Sequence, residues 1–297
     1  MQRQYSFRDT SGRGTLYLVS TPIGNLGDLS PRAVETLKHV QVIAAEDTRQ
    51  TRKLLTHFSI EGPRLISYHE HNKHRMESEI LEMLKQGDDV AIVTDAGTPG
   101  ISDPGEDLVR VARKNGYPVT SIPGPCAAIS ALVISGLPTG RFTFIGFLPR
   151  EKKARREELN ALRKRPETLI FYEAPHRLKE TAKDLSEILG GRKVSVTREL
   201  TKRFEEVAFG DLNALVDWLE EETPRGEYVL VVEGFQGELE TDEQESSWWE
   251  CLTLSEHVEK LVEKGIDKKD AIKQVAKLRG LPKREVYQAT LSGRMDK

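Results

Sequence analysis

The sequence predicts an α/β protein made of two α/β domains and a small helical C-terminal domain. Three observations predict it. Short apolar, β-rich runs alternate with longer amphipathic stretches through residues 15–123, the pattern of βαβ units around a mainly parallel sheet. A second series of such runs follows the linker-like Gly136-Leu137-Pro138-Thr139-Gly140. The last ~45 residues carry only the apolar spacing of helices.

The elements follow in order. Residues 1–13 are polar and read as a flexible tail, without the apolar core of a secretion signal. The N-terminal α/β domain is expected over 14–136. Its strands are Thr15–Ser20, Gln41–Ala45, Arg64–Ser67, Asp89–Thr94 and Pro118–Ile122. They are nearly all apolar, as strands are when helices cover both faces. Leu54–Phe58 and Met76–Lys85 lie in helices between them. Ser30-Pro31 reads as a cap with proline in the first turn, and Asp103-Pro104-Gly105-Glu106 as a capping box. The second α/β domain, 137–235, has strands Phe142–Gly146, Thr168–Tyr172, Lys193–Thr197, Phe204–Phe209 and Glu227–Glu233. Residues 236–250 hold six acids and no base and read as a linker carrying Trp248-Trp249. Gly265, Gly280 and Pro282 divide 251–297 into two or three short helices.

Composition narrows the class. A hydrophobic fraction of 37% with 31% charged residues fits a soluble globular protein, and no apolar run reaches membrane-spanning length. Two cysteines, Cys126 and Cys251, exclude a disulfide framework or a cysteine-rich metal site and suit the cytoplasm. The net charge of −3 gives no sign of nucleic acid, but its distribution is uneven. Residues 150–165 hold eight Lys/Arg against three acids, and residues 255–297 eleven against seven. Such zones suit either a solvated helix face or a nucleic-acid footprint.

Three segments carry chemistry. Leu18–Ser30 runs from a strand through Thr21-Pro22-Ile23-Gly24-Asn25 into a helix. Ligands of open α/β sheets bind beyond the carboxyl ends of strands, where such loops lie. The dinucleotide fingerprint is absent from it. Val93–Gly105 sets Asp95 and Asp103 among Gly97, Pro99, Gly100, Pro104 and Gly105. That loop is long for a plain connection and bares backbone groups to a ligand. Ser121–Ala131 runs into a helix of small residues after Pro123-Gly124-Pro125. Cys126 there reads as a small core residue, since no activating partner is visible.

Together these loops resemble those of the tetrapyrrole-methylase superfamily over residues 14–235. Ser20–Asp28, Asp95–Gly105 and Phe171-Tyr172-Glu173-Ala174-Pro175-His176-Arg177 resemble its branch acting on ribosomal RNA 2'-oxygens. The resemblance implies two α/β domains with S-adenosylmethionine in the cleft between them. It implies a first-domain cofactor side of Pro22, Ile23, Gly24, Asp95, Ala96, Gly97, Thr98, Ile101, Ser102, Asp103, Pro125 and Cys126. The second domain would add Tyr172, Glu173, Gly226 and Glu227. Family members hold this cofactor largely through main-chain groups and are commonly homodimers. The implied reaction is 2'-O-methylation of a cytidine ribose, cytidine 1402, in 16S rRNA of the small ribosomal subunit. No membrane partner is expected. Tetrapyrrole-acting relatives have Gly-Asp-Pro in the middle loop, whereas this chain has Thr94-Asp95-Ala96, which disfavours a porphyrinoid.

A ribose hydroxyl needs its proton accepted. Glu46, His69, Glu70, Glu173 and Glu199 are the candidate bases, each of a type that also serves at surfaces and caps. Arg49, Arg52, His71, His176, Arg177, Arg198 and Lys202 are the candidate RNA contacts, for phosphates or a splayed base. No metal is expected, because nothing completes a ligand set around His69 and His71. The helical domain 251–297 is a further candidate RNA contact. Two alternatives stand beside this reading: a methylase of a tetrapyrrole or protein side chain, and a non-catalytic RNA-binding assembly factor.

Overall fold

The computed structural model describes Gln4 and residues 12–237, 249, 252–263 and 265–292. Trp248 and Cys251 lie outside the described residues, as do most of 1–13 and 236–250.

The first sheet contains β1 (Leu16–Val19), β2 (Val42–Ala45), β3 (Arg64–Ser67), β4 (Val90–Val93) and β5 (Val119–Ile122). Their order is β3-β2-β4-β1-β5, and every pairing is parallel. Helices α1 (Pro31–His39), α2 (Thr48–His57), α3 (Lys73–Gln86) and α4 (Glu106–Lys114) make the crossovers. Strand β4 shows why its residues are all apolar. Ile92 packs with Leu16, Ile80, Leu84 and Leu108 on one face, while Ala91 and Val93 pack with Leu37, Ile43 and Leu55 on the other. Ser30 caps α1 by accepting from the Ala33 N–H at 3.1 Å, and Asp47 caps α2 by accepting from the Arg49 N–H at 2.8 Å. The expected capping box at Asp103 does not form. Helix α4 begins at Glu106 behind Gly105 with no side-chain cap, because the turn over 100–105 starts it beyond the reach of Asp103.

Helix α5 (Ala127–Ile134) joins the halves: Ala128 and Leu132 are buried against Ile170, Val229 and Val231 of the second sheet. That sheet contains β6 (Phe142–Phe147), β7 (Thr168–Glu173), β8 (Lys193–Arg198), β9 (Glu206–Asp211) and β10 (Tyr228–Val232). Its order is β6-β7-β10-β8-β9, with β6–β7 parallel and the other pairings antiparallel. Helices α6 (Lys152–Leu162), α7 (Pro175–Leu189) and α8 (Leu212–Glu221) cover it, burying Leu159, Leu178, Leu185 and Leu212 around Phe171 and Leu230. Strand β9 starts at Glu206 rather than Phe204. Residues 199–205 form a turn in which Glu199 and Thr201 take φ of 51° and 65°, and the Thr201 N–H is held by the Glu205 carboxylate at 2.6 Å. Such conformations cost a non-glycine residue free energy and recur at functional sites. Strand β6 bulges between Phe144 and Gly146, where φ of 73° suits glycine.

Residues 236–297 form a separate compact unit. Its helices are α9 (Leu254–Glu263), α10 (Lys268–Leu278) and α11 (Lys283–Ser292), around Val258, Leu261, Ala271, Val275 and Val286. Trp249 serves this unit's own packing, stacked on His257 at 5.6 Å with the Arg279 guanidinium 4.9 Å from its ring.

Candidate active site

Strands β4, β1 and β5 are neighbours, so the loops leaving their carboxyl ends meet. Side chains and backbone knit them together. Thr21 and Gly97 exchange two backbone hydrogen bonds of 2.9 and 3.1 Å, and the Thr21 hydroxyl donates to the Thr94 carbonyl. The Thr98 hydroxyl donates to the Pro125 carbonyl and shares a hydrogen bond with Ser20, each at 3.0 Å. One hydroxyl thereby ties all three loops.

Opposite them stand the end of β7, the start of α7, the start of β10 and the turn after β8. Together they enclose a cleft of about 530 Å³. Of the expected cofactor residues, it brings together Ile23, Asp95, Ala96, Gly97, Thr98, Ile101, Ser102, Asp103, Cys126, Tyr172, Glu173 and Glu227. Glu46 and His176 also line it. Pro22 and Gly24 line an adjoining cavity with Lys202. Pro125 contributes its carbonyl to the loop framework, and Gly226 lies beneath the Glu199 side chain. Leu200 and Tyr228, in segments expected to face the cleft, line it too, whereas sequence reasoning missed Phe147, Thr197 and Val229, which come from strand ends. Ala127 was within reach of it, standing in the small-residue helix start.

The candidate bases separate. Glu46 is half-buried in the cleft and accepts from the Asp95 N–H at 3.3 Å, while the Asp95 carboxylate accepts from the Asp47 N–H at 3.2 Å. Burial, chiefly, raises the Glu46 pKa. Asp103 is pushed up to about 7, first by burial and then by the Glu46 and Asp95 charges. Glu173 is buried, with its carboxylate taken by the Ala174 N–H, the Thr181 hydroxyl and Arg177. Glu199 accepts from the Glu227 N–H and pairs with Lys202 at 3.0 Å; burial raises its pKa, but these contacts outweigh that and lower it. His69, Glu70 and His71 follow the edge strand β3 and are not among the cleft's lining residues. The Glu70 carboxylate pairs with Lys73 at 2.7 Å.

The candidate RNA contacts separate too. Arg49 and Arg52 stand on the exposed face of α2, with Arg49 paired to Asp47 at 2.8 Å. Arg177 is turned inward, donating to the Leu148 and Pro149 carbonyls. Arg198 donates to the Arg225 carbonyl and pairs with Glu206 at 3.1 Å. Tyr172 receives the Ala128 N–H on its hydroxyl and packs edge-on with Phe144 and Phe147, at 5.0 and 5.7 Å.

Residues 15–216 match the family described as Tetrapyrrole (Corrin/Porphyrin) Methylases. The chain is 53% identical to the ribosomal RNA small subunit methyltransferase I of Bacillus subtilis (strain 168), over 97% of this chain and 98% of that one. It is 47% identical to the protein of the same name from Synechocystis sp., over 94% and 98%. Among solved structures it resembles the uroporphyrin-III C-methyltransferase of Thermus thermophilus complexed with S-adenosylhomocysteine, at a TM-score of 0.53 and 19% identity. That likeness covers 73% of this chain and 97% of that one and bears on the fold alone. The three knitted loops, the paired α/β units and the near full-length identity agree, and the chain belongs to the tetrapyrrole methylase family, among the ribosomal RNA small subunit methyltransferases I.

Proposed function

We propose that this chain transfers a methyl group from S-adenosylmethionine to the 2'-oxygen of a cytidine ribose, cytidine 1402, in the decoding centre of 16S rRNA. The observation that carries the reading is the meeting of Glu46, Asp95 and Asp103 with Tyr172 and Phe147 in one cleft. Carboxyls suit a sulfonium cation and aromatic rings suit a purine. Two further features fit that group. The Thr197 hydroxyl is buried in the wall with no partner among the described residues. The start of α5 borders the cleft at Cys126 and Ala127, and Cys126 makes no side-chain cap there.

When bound, the sulfonium supplies a methyl group already activated for transfer. The chain's part is to orient, to exclude water and to take a proton. Asp95 and Thr98 hold the cofactor on the first-sheet side, and Tyr172 with Phe147 frames it on the other. Asp103, titrating near 7, is the cleft carboxyl matched to accepting the ribose proton at neutral pH, with Glu46 beside it to share the proton. The cationic face of α2 and the helical unit from residue 252 contact the RNA. A second copy of the chain covers the apolar face of α5, where Ile129, Val133 and Ile134 are exposed. The reaction takes place in the cytoplasm, with the ribosomal subunits.

The test is transfer of labelled methyl to small ribosomal subunits from a strain lacking this gene, followed by mapping of the modified ribose. Label at that one cytidine 2'-oxygen is expected. No label on subunits or on naked rRNA, with cofactor binding intact, overturns the substrate.

A further inference from the structure

Beside the main cleft lies a second cavity of about 520 Å³. The two share Ile23, Asp95, Ala96 and Glu227 as a common wall, so the cavities adjoin. Their linings differ in composition. Beyond the shared Asp95 and Glu227, the main cleft adds the carboxyls of Glu46, Asp103 and Glu173. The second cavity instead adds Lys53, His57 and Lys202 and, as uncharged surface, Leu26, Gln50 and Leu54.

The sequence of α2 makes this arrangement. Gln50, Lys53, Leu54 and His57 recur at the three- and four-residue steps that share one helix face. Arg49, Arg52, Lys53, Thr56 and His57 form the adjoining face and line an open groove that continues the cavity outward. Lys53 and His57 line both. Among these cations Arg49 is paired to Asp47, whereas Arg52 has no acidic partner among the described residues. The Lys53 ammonium donates to the Gln50 amide oxygen at 3.3 Å, which turns the amide edge and the charge toward the same space. The far wall is fixed by the turn after β8. There Lys202 is clamped between Glu199 and Glu227 at 3.0 and 2.8 Å, and the Asn25 N–H donates to the Thr201 hydroxyl at 3.0 Å.

We infer that this second cavity is the acceptor pocket, taking one nucleotide swung out of the RNA strand while the groove along α2 holds the flanking phosphates. The inference rests on the RNA-methylating reading above and adds the residues that present the substrate. An unstacked base needs an apolar floor and a hydrogen-bonding edge, which Leu26 with Leu54 and the Gln50 amide supply. Its phosphates need cations at the mouth, which Arg52 and Lys53 supply, with the His57 ring beside them as a hydrogen-bonding group. The shared wall at Asp95 and Ala96 then sets its ribose against the cofactor cleft.

Two measurements test this on the full chain. In the first, small-subunit rRNA transcribed with 5-bromocytidine in place of cytidine is irradiated with the protein and S-adenosylhomocysteine, and the cross-linked peptides are sequenced. Cross-links in residues 22–26 or 48–57 are expected. Cross-links confined to other segments overturn the acceptor pocket even where methyl transfer is intact. Cross-links here without methyl transfer leave the pocket standing and sink the RNA-methylating reading instead. In the second, Lys53→Glu raises KM for subunits at least tenfold with S-adenosylmethionine affinity unchanged. Lys183→Glu, a charge reversal at the exposed Lys183–Glu220 pair, serves as the control and leaves KM as it was. Equal KM values for Lys53→Glu and the unaltered chain overturn the inference.

Discussion

Gly24→Ala tests whether the cleft is closed by the packing of its first loop on the turn after β8. A Cβ at Gly24 would stand 2.4 Å from Lys202 Cγ, 2.8 Å from the Thr201 hydroxyl and 3.2 Å from the Leu200 carbonyl oxygen. Comfortable carbon contacts begin near 3.5 Å, so the loop and the turn must part by about 1 Å. The turn yields poorly, because Glu199 and Thr201 already hold left-handed backbone and Lys202 is bound by two carboxylates. Overpacking costs roughly 1–3 kcal/mol, and losing the Asn25 N–H to Thr201 bond adds about 0.5–1.5 kcal/mol. The loop is exposed and takes up part of the strain, so about 2 kcal/mol is expected. Urea unfolding reads this as a lower midpoint at unchanged slope. Titration calorimetry should show S-adenosylmethionine bound several-fold to tenfold more weakly, since Ile23 and Leu200 line the cleft on either side of the contact. Lys202→Ala removes the clashing Cγ, and the double variant should recover more than 0.5 kcal/mol relative to additivity. Gly24→Ala within 0.5 kcal/mol of the parent, with parental cofactor affinity, would refute the close approach.

Three further outcomes follow from the site. Thr98→Val removes the hydroxyl that ties the three loops and should weaken cofactor binding by about 1–3 kcal/mol, five- to roughly 150-fold, by calorimetry; binding within twofold of the parent would mean that the knot is dispensable. Asp95→Ala should weaken cofactor binding and abolish methyl transfer, and normal values of both would move the site elsewhere. Asp103 titrates higher folded, near 7, than unfolded, near 3.8, so the folded state holds the extra proton between those values and its stability falls as pH rises through them. Asp103→Asn should therefore be more stable than the parent at pH 8, with the difference vanishing toward pH 4; thermal unfolding that shows the same difference at both would exclude a raised Asp103.

Much of this was legible in the sequence, for physical reasons. The first-sheet strands could be read because parallel strands covered on both faces are apolar throughout, as Val90–Val93 is. The loops could be read because Gly, Pro and Asp gather where backbone must meet a ligand. What stayed hidden depends on pairing across the chain. Nothing local tells that β10 runs antiparallel between β7 and β8, so Thr197 and Val229 could not be assigned to one wall. Asp103 read both as a cap, from its spacing to Glu106, and as a cofactor residue by resemblance, and the turn at 100–105 leaves only its place in the cleft. Glu173 read as a candidate base and Arg177 as a candidate RNA contact, yet the two pair with each other and Arg177 donates to the Leu148 carbonyl. On α2, Arg49 and Arg52 stood out by charge, while Gln50 and Lys53 acquire meaning only from the cavity they line.

The division of charge bears on turnover. A chain of net charge −3 that handles a polyanion must confine its cations, and α2 concentrates them beside a cleft that is acidic. Phosphates are drawn to the groove and repelled by Glu46, Asp95 and Asp103, so an uncharged ribose is the part of the strand admitted furthest. On the proposed reaction those carboxyls also distinguish cofactor from product. Before transfer they face a sulfonium cation; afterward they face a neutral thioether, and Asp103 carries the ribose proton. The attraction that held the cofactor is thus lost in the same step that forms the product. S-adenosylmethionine should accordingly outbind S-adenosylhomocysteine by a margin that grows as pH rises through 7 in the parent and stays flat in Asp103→Asn. Equal pH dependence of the two affinity ratios by calorimetry would show that Asp103 plays no part in the discrimination.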